Sequence, residues 1–486
     1  MFGARKRARA VPEPLRELLP RFGDRLITDS SELRVYECDG LPVHRQPPYA
    51  VVLCHDRTDV IDAVRWCRTH RVPFVPRGAG TGLSGGATPT RGAIVLDLNR
   101  MNRIVSLHFE DRYAVVEPGL INVHLTEATS PKGFHYAPDP SSQTACTIGG
   151  NVAENSGGPH CLKYGVTSDH ILGLEIVLAD GSVARLGGPC AETPGPDLTR
   201  LFVGSEGTFG VVTEVTVRLT PNPESVRTYL AIFDSMALAC RTVTEITRQG
   251  LVPVALEILD QRTIRAVEAS VNRAGYPENA QAVLLIEIDG FEVGMDEAEA
   301  EIERTVRANR PIEFRSARDP VERMKLWKGR KGAFGAMGRV NTDLYVLDGV
   351  VPRTRLEETL EHVYEIADRH RVTVSNVFHA GDGNLHPNIS YDGRDLEETS
   401  RVLAAGREML EACVSRGGTI SGEHGIGLEK REFMSLLFTD DDLRLQTAVR
   451  DAFDPAHLAN PGKILPDART PPAPAAASPP PSAVTT

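Results

Sequence analysis

The chain has 486 residues, of which 24% are charged and 41% hydrophobic, and its 54 Lys and Arg against 65 Asp and Glu give a formal net charge of −11. That length exceeds one ordinary core and points to two or three domains. The acidic balance excludes a nucleic-acid footprint, and no apolar run approaches the ~20 residues that cross a bilayer.

The eight cysteines (Cys38, Cys54, Cys67, Cys146, Cys161, Cys190, Cys240 and Cys413) form no C-x-x-C pair. This removes Fe–S clusters and cysteine-bound zinc, and the scatter reads as small thiols in a reducing, cytoplasmic compartment. Met1 to Ala10 is basic but leads into no hydrophobic segment, so it does not read as a secretory signal. Membrane association is expected only peripherally, through a partner.

From Pro14 to Arg34 a modest helical pattern leads into the Pro-rich Leu41 to Pro48. Ala50 to Leu53 reads as a strand. Asp59 to His70 spaces Val60, Ile61, Val64 and Cys67 at helical intervals, with Thr58 or Asp59 as cap, and Val72 to Val75 completes a βαβ unit. Next comes Pro76-Arg77-Gly78-Ala79-Gly80-Thr81-Gly82-Leu83-Ser84-Gly85-Gly86, five glycines in eleven residues, whose backbone can approach a ligand closely. Gly80, Gly82 and Gly85 match G-x-G-x-x-G, but that fingerprint needs a helix directly after it. Gly85-Gly86 and Pro89 forbid one, and the run ending at Asp97 is β-rich. The stretch is therefore read as an anion-binding loop between two strands, with a flexible surface loop as the plain alternative.

Tyr113 to Val116 reads as a strand and Ile121 to Thr129 as a helix. A second loop-rich block runs from Ala137-Pro138-Asp139-Pro140 through Thr144 and Thr147-Ile148-Gly149-Gly150-Asn151 to Gly158, and it is assigned to the same ligand. Gly173 to Ala179 and Ser182 to Leu186 flank an Asp180-Gly181 hairpin turn. Phe202 to Gly210 and the strand Val211 to Leu219 close this half.

At Pro221-Asn222-Pro223 the texture changes. Strands at Thr228 to Phe233, Val254 to Ile258, Val283 to Ile288 and Leu344 to Val351 alternate with helices at Met236 to Arg248, Met295 to Arg307 and Leu356 to His370. That order predicts an antiparallel sheet backed by helices. The expected divisions are a first domain at 1–220, a substrate domain at 221–428, a helical return to the first domain at 429–465, and a disordered tail at 466–486.

Chemistry concentrates in Phe378-His379-Ala380-Gly381-Asp382-Gly383-Asn384-Leu385-His386. A two-residue turn at Asp382-Gly383 would set His379 directly opposite His386, with Cβ atoms within ~5 Å. Downstream, Gly422-Glu423-His424-Gly425 brackets a carboxylate and an imidazole with glycines. Two histidines and a carboxylate make the three-ligand set of an open metal site, suited to Zn, Fe or Mn. Arg330, in Lys328-Gly329-Arg330-Lys331, is equally a carboxylate-binding arginine or part of a solvated basic face.

Taken together, the glycine loop, Pro138-Asp139-Pro140, Ile148 to Asn151, Gly204-Ser205-Glu206-Gly207-Thr208-Phe209-Gly210, His379 to His386, Gly422 to Gly425 and Asn460-Pro461-Gly462-Lys463 resemble the FAD-linked 2-hydroxy-acid dehydrogenases. This is the glycolate oxidase FAD subunit and D-lactate dehydrogenase type, on the vanillyl-alcohol-oxidase flavin fold. The resemblance implies an α+β protein: a two-part FAD-binding domain plus an antiparallel-sheet α+β cap domain. It implies that Pro76, Arg77, Gly78, Gly80, Thr81, Gly82, Ser84 and Gly85 wrap the pyrophosphate of non-covalent FAD, and that Pro138, Asp139, Thr144, Gly149, Gly150 and Asn151 line the flavin. Glu206, Gly207, Thr208 and Val211 would lie near the adenine, and Asn460 near the ring.

It further implies a divalent metal on His379, His386 and Glu423, His424 as base, and Arg330, Asn388 and His379 on the substrate side. The implied reaction oxidises a small D-2-hydroxy acid with hydride transfer to flavin N5, electrons passing to a separate acceptor or redox partner subunit. The chain would be a homodimer or part of a hetero-oligomer. The 2-hydroxyglutarate branch places a lysine where Val346 falls here, which favours glycolate or D-lactate. A metal-dependent hydrolase binding a nucleotide in the glycine loops is the competing enzyme class, and a flavin-carrying structural subunit the competing non-enzyme.

Overall fold

The computed structural model describes residues 11–190 and 194–467. The basic opening segment lies outside the described residues, as does the expected tail beyond Asp467.

Four short strands, β1 (Leu26–Ile27), β2 (Ala50–Leu53), β3 (Phe74–Arg77) and β4 (Ile94–Asp97), form a sheet in the order β1-β2-β4-β3. β2 and β3 both run parallel to β4, which lies between them, so the expected βαβ unit is split by the strand that follows it. Helix Arg57–His70 crosses over, its apolar side on the buried faces of β2, β3 and β4. Its cap is Asp56, whose carboxylate accepts from the Asp59 N–H at 3.0 Å, rather than Thr58 or Asp59. Asp59 is otherwise engaged: its buried carboxylate pairs with Arg21 at 2.8 Å and with Arg25. Between β3 and β4 the glycine loop runs without a helix, as its Gly-Gly and Pro residues require.

The second sheet uses β5 (Ile104–His108), β6 (Tyr113–Val116), β8 (Ile171–Val177), β9 (Val183–Gly187) and β10 (Val211–Arg218) in the order β5-β6-β10-β8-β9, while β7 (Phe134–His135) pairs with β11 (Thr220–Pro221). The second loop-rich block is not all loop: Ile148–Glu154 is helical, with Gly149 and Gly150 in its first turn and Thr147 Oγ1 accepting from the Gly150 N–H at 3.2 Å. A capping threonine outweighs the low helix propensity of two glycines over one turn.

The second half is one antiparallel sheet of β12 (Ser225–Phe233), β13 (Ala255–Asp260), β14 (Ala282–Gly290), β15 (Glu313–Ser316), β16 (Asp343–Val346), β17 (Gly349–Val350), β18 (Thr373–His379), β19 (Asn384–Leu385) and β20 (Pro387–Tyr391). Helices cover both faces. Tyr229, Ala231 and Phe233 of β12 pack with helices Met236–Arg248 and Met295–Ala308, while Leu230 and Ile232 pack with Gln261–Glu268 and Pro320–Lys331. Two-sided burial is why β12 and β14 read as continuous apolar runs. The strand expected over Leu344 to Val351 is interrupted at Leu347-Asp348: β16 pairs with β20 and β17 with β19, so the break serves two neighbours. The C-terminal segment then returns to the first half. The Phe74 N–H donates to the Leu458 carbonyl at 2.9 Å, and the Asn460 N–H donates to the Phe74 carbonyl at 2.8 Å.

Candidate active site

A cavity of about 360 Å³ runs between the two halves. One wall is glycine-rich: Pro76, Arg77, Gly78, Gly80, Thr81 and Gly82 from the first loop, Gly149, Gly150 and Asn151 from the second, then Glu206 and Gly207. Close approach demands glycine at two of these. A Cβ on Gly78 would stand 2.3 Å from Thr147 Oγ1, and Gly80 has φ +68° with the Arg77 guanidinium 2.2 Å from where its Cβ would lie. A wall with so many glycines lets a pyrophosphate and ring approach the main chain closely.

Other expected cofactor residues do not line the cavity. Ser84 is buried, its carbonyl accepting from Leu428 and Glu429 N–H at 2.9 and 3.1 Å, and Gly85 packs beside Leu428. The Pro138 carbonyl accepts from Asn122 Nδ2 at 2.9 Å, Thr144 is exposed, Thr208 donates to the Ser205 carbonyl at 2.7 Å, and Val211 is a core residue of β10. Asp139 pairs with His160 at 2.8 Å and Lys331 at 2.9 Å. Burial opposes its charge, but those two cations outweigh burial and hold the carboxyl well below its usual range. Asn460 reaches the loop through Nδ2, donating to the carbonyls of Gly86 at 2.8 Å and Glu206 at 2.6 Å.

The opposite wall carries Arg330, Lys331, Phe334, Val377, His379, His386, Glu423 and His424. His379 Nε2 and His386 Nε2 both approach Glu423 Oε1, at 3.1 and 3.2 Å. Their remaining nitrogens are fixed from behind: His379 Nδ1 lies 2.8 Å from Glu257 Oε1, and His386 Nδ1 lies 3.1 Å from the Leu347 carbonyl. This is the pattern that orients imidazoles toward a metal, and it meets the donor set a divalent cation needs.

The hairpin register differs from expectation. His379 pairs with Asn384 across a four-residue loop, Ala380 to Gly383, because β18 is set against β20 with Ser375 opposite Asn388. A shift of two residues preserves the side-chain face, so His386 is the diagonal neighbour of His379 and their rings still meet, 5.2 Å apart and edge to face. Asn388 is buried on β20 and donates to the His386 carbonyl at 2.7 Å; it does not line the cavity. Val346, in β16, is buried opposite Asn388.

His424 stacks on His386 with ring centroids 5.0 Å apart. Burial holds its imidazole down at about 4, the charges of His386 and Lys430 add to this, and Asp348 opposes it. It is therefore the neutral, proton-accepting form at pH 7. Arg330 places Nε and Nη2 on Glu257 Oε2, at 2.6 and 2.5 Å.

Two residues of this site escaped sequence reasoning. Glu257, 1% exposed, joins Arg330 to His379; its signal was a lone carboxylate inside the apolar run Ala255-Leu256-Glu257-Ile258-Leu259. Asp348, 0% exposed, lies in the strand break beneath Glu423 and His424, and nothing in its local sequence marked it.

Residues 48–187 match the family described as FAD binding domain, and residues 222–464 match the FAD linked oxidases, C-terminal domain. Glycolate oxidase subunit GlcD of Escherichia coli (strain K12) is 44% identical over 452 residues, covering 93% of this chain and 90% of that protein. The Bacillus subtilis (strain 168) subunit of the same name is 39% identical over 451 residues, covering 92% and 96%. Among solved structures, 4-ethylphenol oxidase from Gulosibacter chungangensis, in its isoeugenol complex, aligns with a TM-score of 0.77 at 21% identity over 93% of this chain and 97% of that one, a likeness of fold alone. Because both halves carry their own family match and the identity extends across both, the chain belongs to the FAD-linked oxidases, as a flavin-dependent hydroxy-acid oxidoreductase of the vanillyl-alcohol-oxidase fold.

Proposed function

We propose that this chain oxidises a short D-2-hydroxy acid, glycolate or D-lactate, to the 2-oxo acid, and that a divalent cation and the residues facing it assemble the substrate. The observation that carries this reading is that Arg330, His379, His386, Glu423 and His424 open onto the same cavity as the glycine loop. FAD, bound non-covalently along the glycine wall, supplies the two-electron acceptor. His379, His386 and Glu423 would hold Zn, Fe or Mn, whose charge acidifies a neighbouring hydroxyl.

The chain's own residues then have separable tasks. Arg330 takes the substrate carboxylate with the guanidinium donors that Glu257 leaves over, and Glu257 fixes Arg330 and His379 relative to each other. His424, neutral in its buried pocket, accepts the hydroxyl proton at a ring nitrogen. Glycolate and D-lactate present nothing beyond the α-carbon that needs a second cation. Val346 is packed in the sheet, and Lys331 is committed to Asp139, so a distal carboxylate finds no free partner in either. The hydrolase alternative is not favoured, since both family matches are to flavoproteins.

Among the described residues no helix is long and apolar enough to cross a membrane. Two relatives are named as subunits, and we propose that this chain also passes its electrons to a companion subunit. Anaerobic mixing of the flavoprotein with glycolate, D-lactate and D-2-hydroxyglutarate tests the reading: the first two should bleach the flavin band near ~450 nm. No bleaching by either, or fastest bleaching by the dicarboxylate, would overturn it.

A further inference from the structure

Glu423 and His424 ride on a segment that is neither helix nor strand. Its amides have no ladder to join, and buried amides left unpaired are costly. Asp348 lies beneath them. Its Oδ2 accepts from Ser421 Oγ at 2.7 Å, Gly422 N at 3.0 Å, Glu423 N at 3.2 Å and His424 N at 2.8 Å, with Lys430 Nζ at 3.3 Å. The Gly425 N–H turns to Ser421 Oγ at 3.1 Å. Beyond it, Glu206 reaches in from the first half of the chain, its two oxygens accepting from Ile426 N and Gly427 N, each at 2.7 Å. Every amide from 422 to 427 is thus held, five of the six by two buried carboxylates from opposite halves of the molecule.

We propose that Asp348 and Glu206 are positioning residues for the oxidation: from opposite sides they fix the backbone of Ser421 to Gly427, so that Glu423 Oε1 stays where both imidazole Nε2 atoms point and His424 stays on His386. At Asp348 a carboxylate is required because, ionised, it only accepts. An amide in its place would turn an NH2 toward a nest of donors. The proposal rests on the site assignment above, and it separates from it experimentally.

The test uses Asp348→Asn and Glu206→Gln in the full flavoprotein. Loss of an outer partner of a metal ligand weakens affinity or activity by about 10- to 100-fold. Zinc affinity, read by chelator competition, should weaken on that scale, and kcat should fall likewise while KM for glycolate changes little, because Arg330 and Glu257 are untouched. Hydrogen exchange should quicken in the peptide spanning 421–427, at Gly422 to His424 for the first variant and at Ile426 and Gly427 for the second. Flavin content should be held in Asp348→Asn, whose residue does not line the cavity, while the unfolding temperature should fall in both variants, because each leaves buried donors without their acceptor. Unchanged kcat in both variants, or loss of flavin in step with activity in Asp348→Asn, would overturn the proposal. A wild-type chain that holds no zinc would remove the metal reading alone, leaving the kcat–KM split and the exchange pattern to decide. If Asp348→Asn does not fold, Ser421→Ala removes one donor of the same nest; normal kcat in that variant counts against the proposal, and reduced kcat at unchanged KM supports it.

Discussion

His160 sits at the joint between the two halves, its Nδ1 2.8 Å from Asp139 and its Nε2 3.4 Å from Glu287. Burial alone would lower its pKa, but the two carboxylates outweigh burial and hold the imidazolium up at about 9, against 6.5 when unfolded. A rise of that size corresponds to ~3 kcal/mol of preference for the charged, folded form. The folded value is the higher one, so the contribution is complete below about pH 6.5 and is lost as pH rises through about 9. The perturbation is His160→Gln, read by urea unfolding of variant and parent at pH 6 and 9.5. The parent should be more stable by up to ~3 kcal/mol at the lower pH, and the gap should close at the higher. Groups that titrate elsewhere cancel in the difference. A gap of equal size at both pH values would refute the reasoning, since a packing role for the ring does not depend on its charge.

His424→Ala should keep flavin bound yet slow its reduction by substrate ~100- to 10,000-fold in stopped flow, the range for loss of a positioned base; normal reduction excludes it as the proton acceptor. Arg330→Ala should raise KM by ~10- to 150-fold, the equivalent of ~1.5–3 kcal/mol for a charged hydrogen bond, and should lower stability by stranding Glu257, which is 1% exposed; unchanged saturation means another cation holds the carboxylate. Chelation followed by dialysis should reduce kcat with flavin retained, and zinc or manganese should restore it; full activity in chelator removes the cation. Gly425→Ala places a Cβ 2.3 Å from Glu154 Oε2 at φ +86°, so it should cost ~1–2 kcal/mol in thermal denaturation and impair turnover more than flavin binding; a variant of full stability and activity would show that the loop yields freely.

The sequence announced backbone before it announced partners. The glycine loop was legible because Gly85-Gly86 followed by Pro89 disfavours a helix and no capping threonine or serine offsets it as Thr147 does at Gly149-Gly150, and helices Met236–Arg248 and Leu356–His370 were legible because their periodicity is strong. Helix Leu396–Ser415 was not, since its buried side includes Ala405, Gly406, Ala412 and Cys413, which give little apolar contrast with its charged side. His379 and His386 could be paired from spacing, and a register error of two residues did no harm because strand faces repeat every second residue. Glu257 and Asp348 could not be reached that way. Their roles depend on contacts with residues 73 or more positions away, which only the fold brings near.

The return of Leu458 to Asn460 alongside β3 also bears on how the protein is made. Ala459 and Asn460 are buried against a strand laid down nearly four hundred residues earlier, and Asn460 is tied to both Gly86 and Glu206. During synthesis the β3 edge of the first sheet therefore stays without this partner while both later sheets are translated. The cleft wall around Phe74, Gly86 and Glu206 gains these contacts only once Leu458 to Asn460 have been translated.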